Sequence, residues 1–237
     1  MDLFDKLTLG KQYQGRIALI DGKVRFTEIP LPPHGDVLGF LLVSISHSLG
    51  VLSPRAMLMP CSDNGMNTYF DYDANYEDIV LSPTTKKRPD ASWRLERHLL
   101  PNPPPAWLQL DARGLPTASV VLEVAVDNES PTTLQEDCHA YFGVNTSTTV
   151  WVGVKIWLAG CKFWVGWAER APNGVGAVVH SQMQWVPNHS SFLVPCNIIY
   201  QIPMQTVFGQ GIAIPPGIPA TLDINVEAIR DRIVRSV

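Results

Sequence analysis

Apolar and polar positions along the chain mark out most of its elements. The apolar run Ile17 to Ile20, the dipeptide Asp21-Gly22 and the alternating run Lys23 to Ile29 together predict a β-hairpin. Pro30, Pro32 and Pro33 then stop the second strand. Val37, Leu38, Leu41, Leu42, Ile45 and Leu49 recur at helical spacing, and Gly50 follows as a stop, so a helix is expected over 36–49. Met57 to Glu77 is polar and aromatic and supports no assignment. Glu77 to Leu81 has the pattern of a short strand, cut off by Ser82-Pro83.

The middle of the chain has the clearest pattern. Val120 to Val126 is β-branched and nearly continuous in its apolar character, as a strand buried on both faces must be. Pro131 to Phe142 predicts a helix, with Ser130 placed to cap it and Pro131 at its first position. Val150 to Leu158 is a second buried strand, so the helix is long enough to cross over between parallel neighbours. Lys162 to Ala168 and Ala177 to Trp185 form the arms of a second hairpin around Pro172-Asn173-Gly174. Pro187 to Gly217 is proline-spaced and expected to be extended. Leu222 to Val226 reads as a strand entering an amphipathic helix, Glu227 to Arg235, whose apolar face carries Ala228, Ile229, Ile233 and Val234. The fold class is α/β or α+β, with a mixed central sheet and flanking helices.

Composition narrows the function classes. Of 237 residues 46% are hydrophobic and 17% charged, which excludes a disordered chain and leaves charge scarcer than the usual quarter or so. The 18 basic and 22 acidic residues give −4, which disfavours nucleic acid as a partner, because sequence-independent affinity for phosphates needs surplus Lys and Arg. The longest apolar runs are too short to span a bilayer, and Met1 to Lys11 lacks the pattern of a signal peptide. An intracellular protein, cytoplasmic or nuclear, is expected. Cys61, Cys138, Cys161 and Cys196 form no CxxC pair and are expected to be free thiols. There is no P-loop, no GxSxG and no HExxH, and Gly174-Val175-Gly176 lacks the third glycine of a dinucleotide fingerprint.

Candidate chemistry begins with two acidic residues. Asp90 follows Pro89 after the basic triplet Lys86-Lys87-Arg88, and Glu123 interrupts the aliphatic run 120–126. A carboxylate inside such a strand is costly unless paired or bound to a cation. It is either a strand-end group bonded to a loop, or one of two carboxylates holding a divalent metal through hard oxygen ligands. Lys155, in Val154-Lys155-Ile156 of the neighbouring strand, is a snorkelling side chain, a point charge for a phosphate, or a counter-ion that neutralises the two carboxylates.

The ordered pieces resemble the restriction-endonuclease-like PD-(D/E)XK superfamily, most of all a branch of uncharacterised fungal and bacterial members. They are Pro33-His34-Gly35-Asp36, Lys87-Arg88-Pro89-Asp90-Ala91-Ser92-Trp93, Val121-Leu122-Glu123-Val124-Ala125, Asn128-Glu129-Ser130, Leu134-Gln135-Glu136-Asp137 and Tyr141-Phe142. The resemblance spans roughly residues 30–158 and implies a nuclease-like core there, within a single domain 1–237 that ends in a β-rich extension over 159–237. It makes Asp90 the Pro-Asp acid and Glu123 the acid of the second motif, with both ligating Mg²⁺ or Mn²⁺ for phosphodiester hydrolysis. The signature lysine falls at Ala125, so Lys155 or Lys87 would have to supply its charge. Gln135 lies on the following helix, and His34 or Asp36 matches the first-helix motif.

A second function class stands beside this one: a nuclease fold repurposed to bind a small apolar metabolite. Trp151, Trp157, Trp164, Trp167 and Trp185 crowd a short stretch, and they either fill a core or line a pocket. A third class, a partner-binding module, predicts a large exposed apolar face. A homodimer is compatible with any of the three.

Overall fold

A computed structural model describes residues 16–20, 23–28, 32–50, 70–72, 79–111, 114–127, 130–159, 162–185 and 198–236. The expected first hairpin is present: β1 (Arg16–Ile20) pairs antiparallel with β2 (Lys23–Glu28), and its turn residues lie outside the described set. Helix α1 (Pro32–Ser48) begins four residues before the expected Asp36. Proline ends a strand but fits the first turn of a helix, where its missing N–H has no partner to lose. Val37, Leu41 and Ile45 are the buried stripe of this helix. Short strands follow: β3 (Phe70–Tyr72) in the unassigned region, β4 (Ile79–Ser82), β5 (Thr85–Lys87) and β6 (Ala91–Leu95). The prolines of 101–105 lie in a segment without regular secondary structure.

The centre follows the expected strand–helix–strand order. β7 (Val120–Val126) is buried at every position, α2 (Pro131–Tyr141) crosses over, and β8 (Val150–Trp157) returns parallel to β7. Ser130 Oγ accepts the Thr133 N–H at 3.1 Å, the cap the sequence implies. β9 (Lys162–Arg170) and β10 (Ala177–Trp185) form the second hairpin, with β9 antiparallel to β8. Part of the stretch expected to be extended differs. After β11 (Ile199–Pro203) the chain turns into a short helix, α3 (Met204–Phe208), whose Met204, Val207 and Phe208 are buried. β12 (Thr221–Asn225) leads into α4 (Val226–Ser236), where Ile229 and Ile233 are buried but Val234 is half-exposed.

Among the described residues the strands make three sheets, in the orders β2-β1-β5-β4, β10-β9-β8-β7-β6-β3 and β11-β12. The six-stranded sheet is mixed, with β7 and β8 its parallel pair, so the fold class is α+β as expected. Alternation along β7 and β8 divides the core into two. Even-numbered residues (Val120, Leu122, Val124; Val150, Val152, Val154) pack with α1, α3 and α4. Odd-numbered ones (Val121, Ala125, Trp151) pack with Leu134, Cys138 and Tyr141 of α2. Trp93 of β6 donates to Ser46 Oγ of α1 at 3.1 Å, tying that helix to the sheet. Gly153 is required by its neighbour, because a Cβ there would lie 2.0 Å from the Trp151 ring.

Candidate active site

Glu123 sits on the odd-numbered face of β7 beneath α2 and is fully buried. Its Oε1 accepts the Tyr141 hydroxyl at 2.6 Å, and the Lys87 ammonium lies 3.6 Å from the same oxygen. Lys87 itself is 4% exposed and makes its closest contact with Asp137 Oδ2 on α2. Its ammonium also stands 5.8 Å from the centre of the Tyr141 ring. Lys87 comes from β5, in the four-stranded sheet, so this one side chain links that sheet to the six-stranded sheet and to α2.

Asp90 lies at the bend just before β6. β6 and β7 pair with Ala91 opposite Leu122 and Ser92 opposite Val121, and one further step of that register sets Asp90 opposite Glu123. The Asp90 carboxylate extends the ladder: Oδ2 accepts the Val124 N–H at 2.6 Å. Its other oxygen, Oδ1, meets His34 Nε2 of α1 at 3.2 Å. The two acids are therefore adjacent in register, with Asp90 held from the α1 side and Glu123 from the α2 side.

Lys155 pairs with Ala125 in the β7–β8 register, so it shares the face of Glu123 as alternation predicts. Neither a snorkelling chain nor a partly exposed charge describes it, since it is fully buried with its ammonium 5.7 Å from the Trp157 ring centre. Gln135 is half-buried on α2, and it is Asp137 that this helix turns toward Lys87. Asp36 is exposed and accepts from Ser236 of α4, away from the acidic pair.

Asp137 and Tyr141 stand in the pieces that carry the resemblance, but the sequence assigned them no role. Their spacing was a signal, because positions i and i+4 of a helix share a face, and the face of Leu134, Cys138 and Tyr141 is the one that covers Glu123. Cys138 on this face is a buried free thiol whose pKa is pushed up to about 12 by burial and, secondarily, by the nearby Asp137 charge. It is kept protonated and unreactive. Cys61, Cys161 and Cys196 lie outside the described residues.

The donor set, two carboxylates, is the ligand type a divalent cation takes, and three of the four oxygens already accept from His34, Val124 and Tyr141. Magnesium is commonly held by one or two carboxylates, with water and substrate phosphate completing its shell, and Asp90 and Glu123 offer that pair. No cluster of three or more His, Cys, Asp or Glu able to hold a metal occurs among the described residues. A site here would therefore draw its remaining ligands from solvent and substrate.

Four of the tryptophans fill the core. Trp93, Trp151, Trp164 and Trp167 are buried, and Trp151 and Trp164 meet at 6.3 Å between ring centres. Two cavities open elsewhere. One of about 510 Å³ is lined by Ile79, Ser92, Arg94, Leu110 and Asn145; the other, of about 680 Å³, by Trp107, Glu169, Arg170 and Gln205. None of Trp151, Trp157, Trp164 or Trp167 lines either. Arg170 is structural: its guanidinium donates to the carbonyls of Phe142, Gly143, Thr146, Thr148 and Gly174. Burial lowers its pKa to about 10.

No family model and no curated protein matches the chain. A crystal structure of a candidate nuclease of the DUF820 family from Anabaena variabilis ATCC 29413 is similar to it over 94% of each chain, with 10% identity and a TM-score of 0.49. No helix among the described residues is long and apolar enough to cross a membrane.

Proposed function

We propose that this chain is a metal-dependent, nuclease-like phosphodiester hydrolase of the PD-(D/E)XK type, with Asp90 and Glu123 as its metal-holding pair. The reading rests on one observation: Asp90, after Pro89 in the bend that precedes β6, falls one register step beyond the Ala91–Leu122 pair and so beside the buried Glu123 of β7, which has a lysine ammonium next to it. A bound Mg²⁺ or Mn²⁺ would supply an activated water and neutralise charge developing on the phosphate. The protein's own groups hold the two carboxylates in place. His34 and the Val124 N–H fix the rotation of Asp90, and Tyr141 fixes that of Glu123. Lys87 takes the part that the signature lysine would play at Ala125, because it is the lysine in contact with Glu123. Lys155 lies on the same face.

The test is cleavage of single- and double-stranded DNA and RNA by the full chain with Mg²⁺ or Mn²⁺. The expected result is cleavage that Asp90→Asn and Glu123→Gln each reduce at least a hundredfold, with both variants folded. No cleavage of any of these substrates with either ion, or cleavage by either variant equal to that of wild type, overturns the reading.

A further inference from the structure

We propose that the cavity of about 510 Å³ beside β6 is a binding site for an uncharged nucleobase, held by its faces on aliphatic side chains and by its edge on hydroxyl and amide groups. The site needs no metal and stands apart from the hydrolase reading.

Three pieces of the chain build it. Ala91, Trp93 and Leu95 of β6 turn into the core beside α1, so alternation turns Ser92 and Arg94 to the other face, where the cavity lies. That face is the one covered by α2, since Ser92 pairs with Val121. Ile79 and Val80 of β4 form a second wall, and Gln109, Leu110 and Pro116 a third. The third wall is pinned at Gln109. Its carbonyl accepts the Thr117 N–H at 3.0 Å and the Ser147 hydroxyl at 2.9 Å, and its N–H donates to Ser147 Oγ at 2.7 Å. Val80 and Leu110 are exposed, which gives a ligand its way in.

The lining sets the chemistry of the ligand. One basic and one acidic residue, Arg94 and Asp111, line the cavity together, so neither a phosphate nor a metal cation meets a net opposite charge. The other polar side chains are neutral, chief among them Ser92, Gln109 and Asn145. The Ser92 hydroxyl and the Gln109 side-chain amide hydrogen-bond to no described protein group, although Ser92 is only 8% exposed. A buried hydroxyl is costly to leave unpaired, and the edge of a ligand would satisfy it. Asn145 donates its Nδ2 to the Leu81 carbonyl at 3.2 Å, which leaves Oδ1 to accept. Donors and acceptors set side by side are what the edge of a base matches. Ile79, Val80, Leu110 and Pro116 add aliphatic surface from two separate elements. That suits the apolar faces of a flat ring, and not a sugar, whose hydroxyls project all round.

The experiment is a calorimetric titration of the full chain, in EDTA, with adenine, hypoxanthine, cytosine and uracil. Indole, a ring of purine shape without the polar edge, is the control. At least one base should bind saturably, one per chain, and at least tenfold tighter than indole, because a site built on hydrogen bonds rejects an analogue that lacks them. Gln109→Leu and Ser92→Leu, the second of which fills cavity space, should each weaken that base at least fivefold. If Ser92→Leu does not fold, Ser92→Ala takes its place. A single-stranded oligonucleotide of the same base, titrated into the same proteins, separates the two sources of the ring. Tighter binding than the free base assigns the site to a strand, and equal or weaker binding assigns it to the free compound. No saturable binding of any base or oligonucleotide overturns the assignment. So does indole binding as tightly as the bases, or binding that either substitution leaves unchanged. With no divalent ion present, these failures leave the hydrolase reading standing, and a failure to cleave with Mg²⁺ or Mn²⁺ leaves the cavity assignment standing.

Discussion

At the scale of single residues, a buried charge is visible in sequence but its partner is not. Glu123 stood out because it interrupts seven otherwise apolar positions, and it is fully buried. Its partners come from residues 18 positions ahead and 36 behind, Tyr141 and Lys87, and the second of these pairings is made by a separate sheet. No local pattern encodes that. Lys155 shows the same limit from the other side. Alternation placed it on the face of Glu123, yet its exposure depended on how β9 and α2 close over it, and the closure is complete. The consequence is energetic. Lys155→Ala removes a long stem from a filled space, and should lower stability by about 2–5 kcal/mol in urea unfolding, the range for emptying a core position. A loss below about 0.5 kcal/mol would contradict the burial.

At the scale of elements, the strand–helix–strand centre was legible because each boundary carries its own chemistry. Ser130 and Pro131 start α2, and the aliphatic runs on either side need cover on both faces, which a crossover helix and the flanking layers supply. Elements defined by few residues were less visible. β3 has three residues in a polar, aromatic stretch, and α3 has five in a proline-spaced one, so tertiary packing outweighs local pattern at both. The start of α1 was misplaced for a single reason: prolines that end a strand also open a helix. The Ser130 cap gives a direct check. Ser130→Ala removes the acceptor of the Thr133 N–H and should cost about 1 kcal/mol in thermal or urea unfolding, while Ser130→Asp should restore most of it. Equal stability of all three proteins would show that the cap does not hold the crossover helix.

At the scale of the whole molecule, two helical layers clamp one mixed sheet, and the candidate site lies where both layers reach it. α1 sends His34 to Asp90 and α2 sends Tyr141 to Glu123, so the acids are braced from opposite sides of adjacent strands. The fold class, the parallel pair and the two acids were legible in sequence. The bracing was not, since it depends on three elements meeting. The net charge of −4 counts against a nucleic-acid partner. The central claim is that Asp90 and Glu123 together hold one divalent ion, and isothermal titration with Mn²⁺ addresses it without reference to any substrate. Wild type should bind one ion per chain, and Asp90→Asn and Glu123→Gln should each weaken that binding at least tenfold while remaining folded. Binding of the same strength in all three, or none in wild type, would contradict the account.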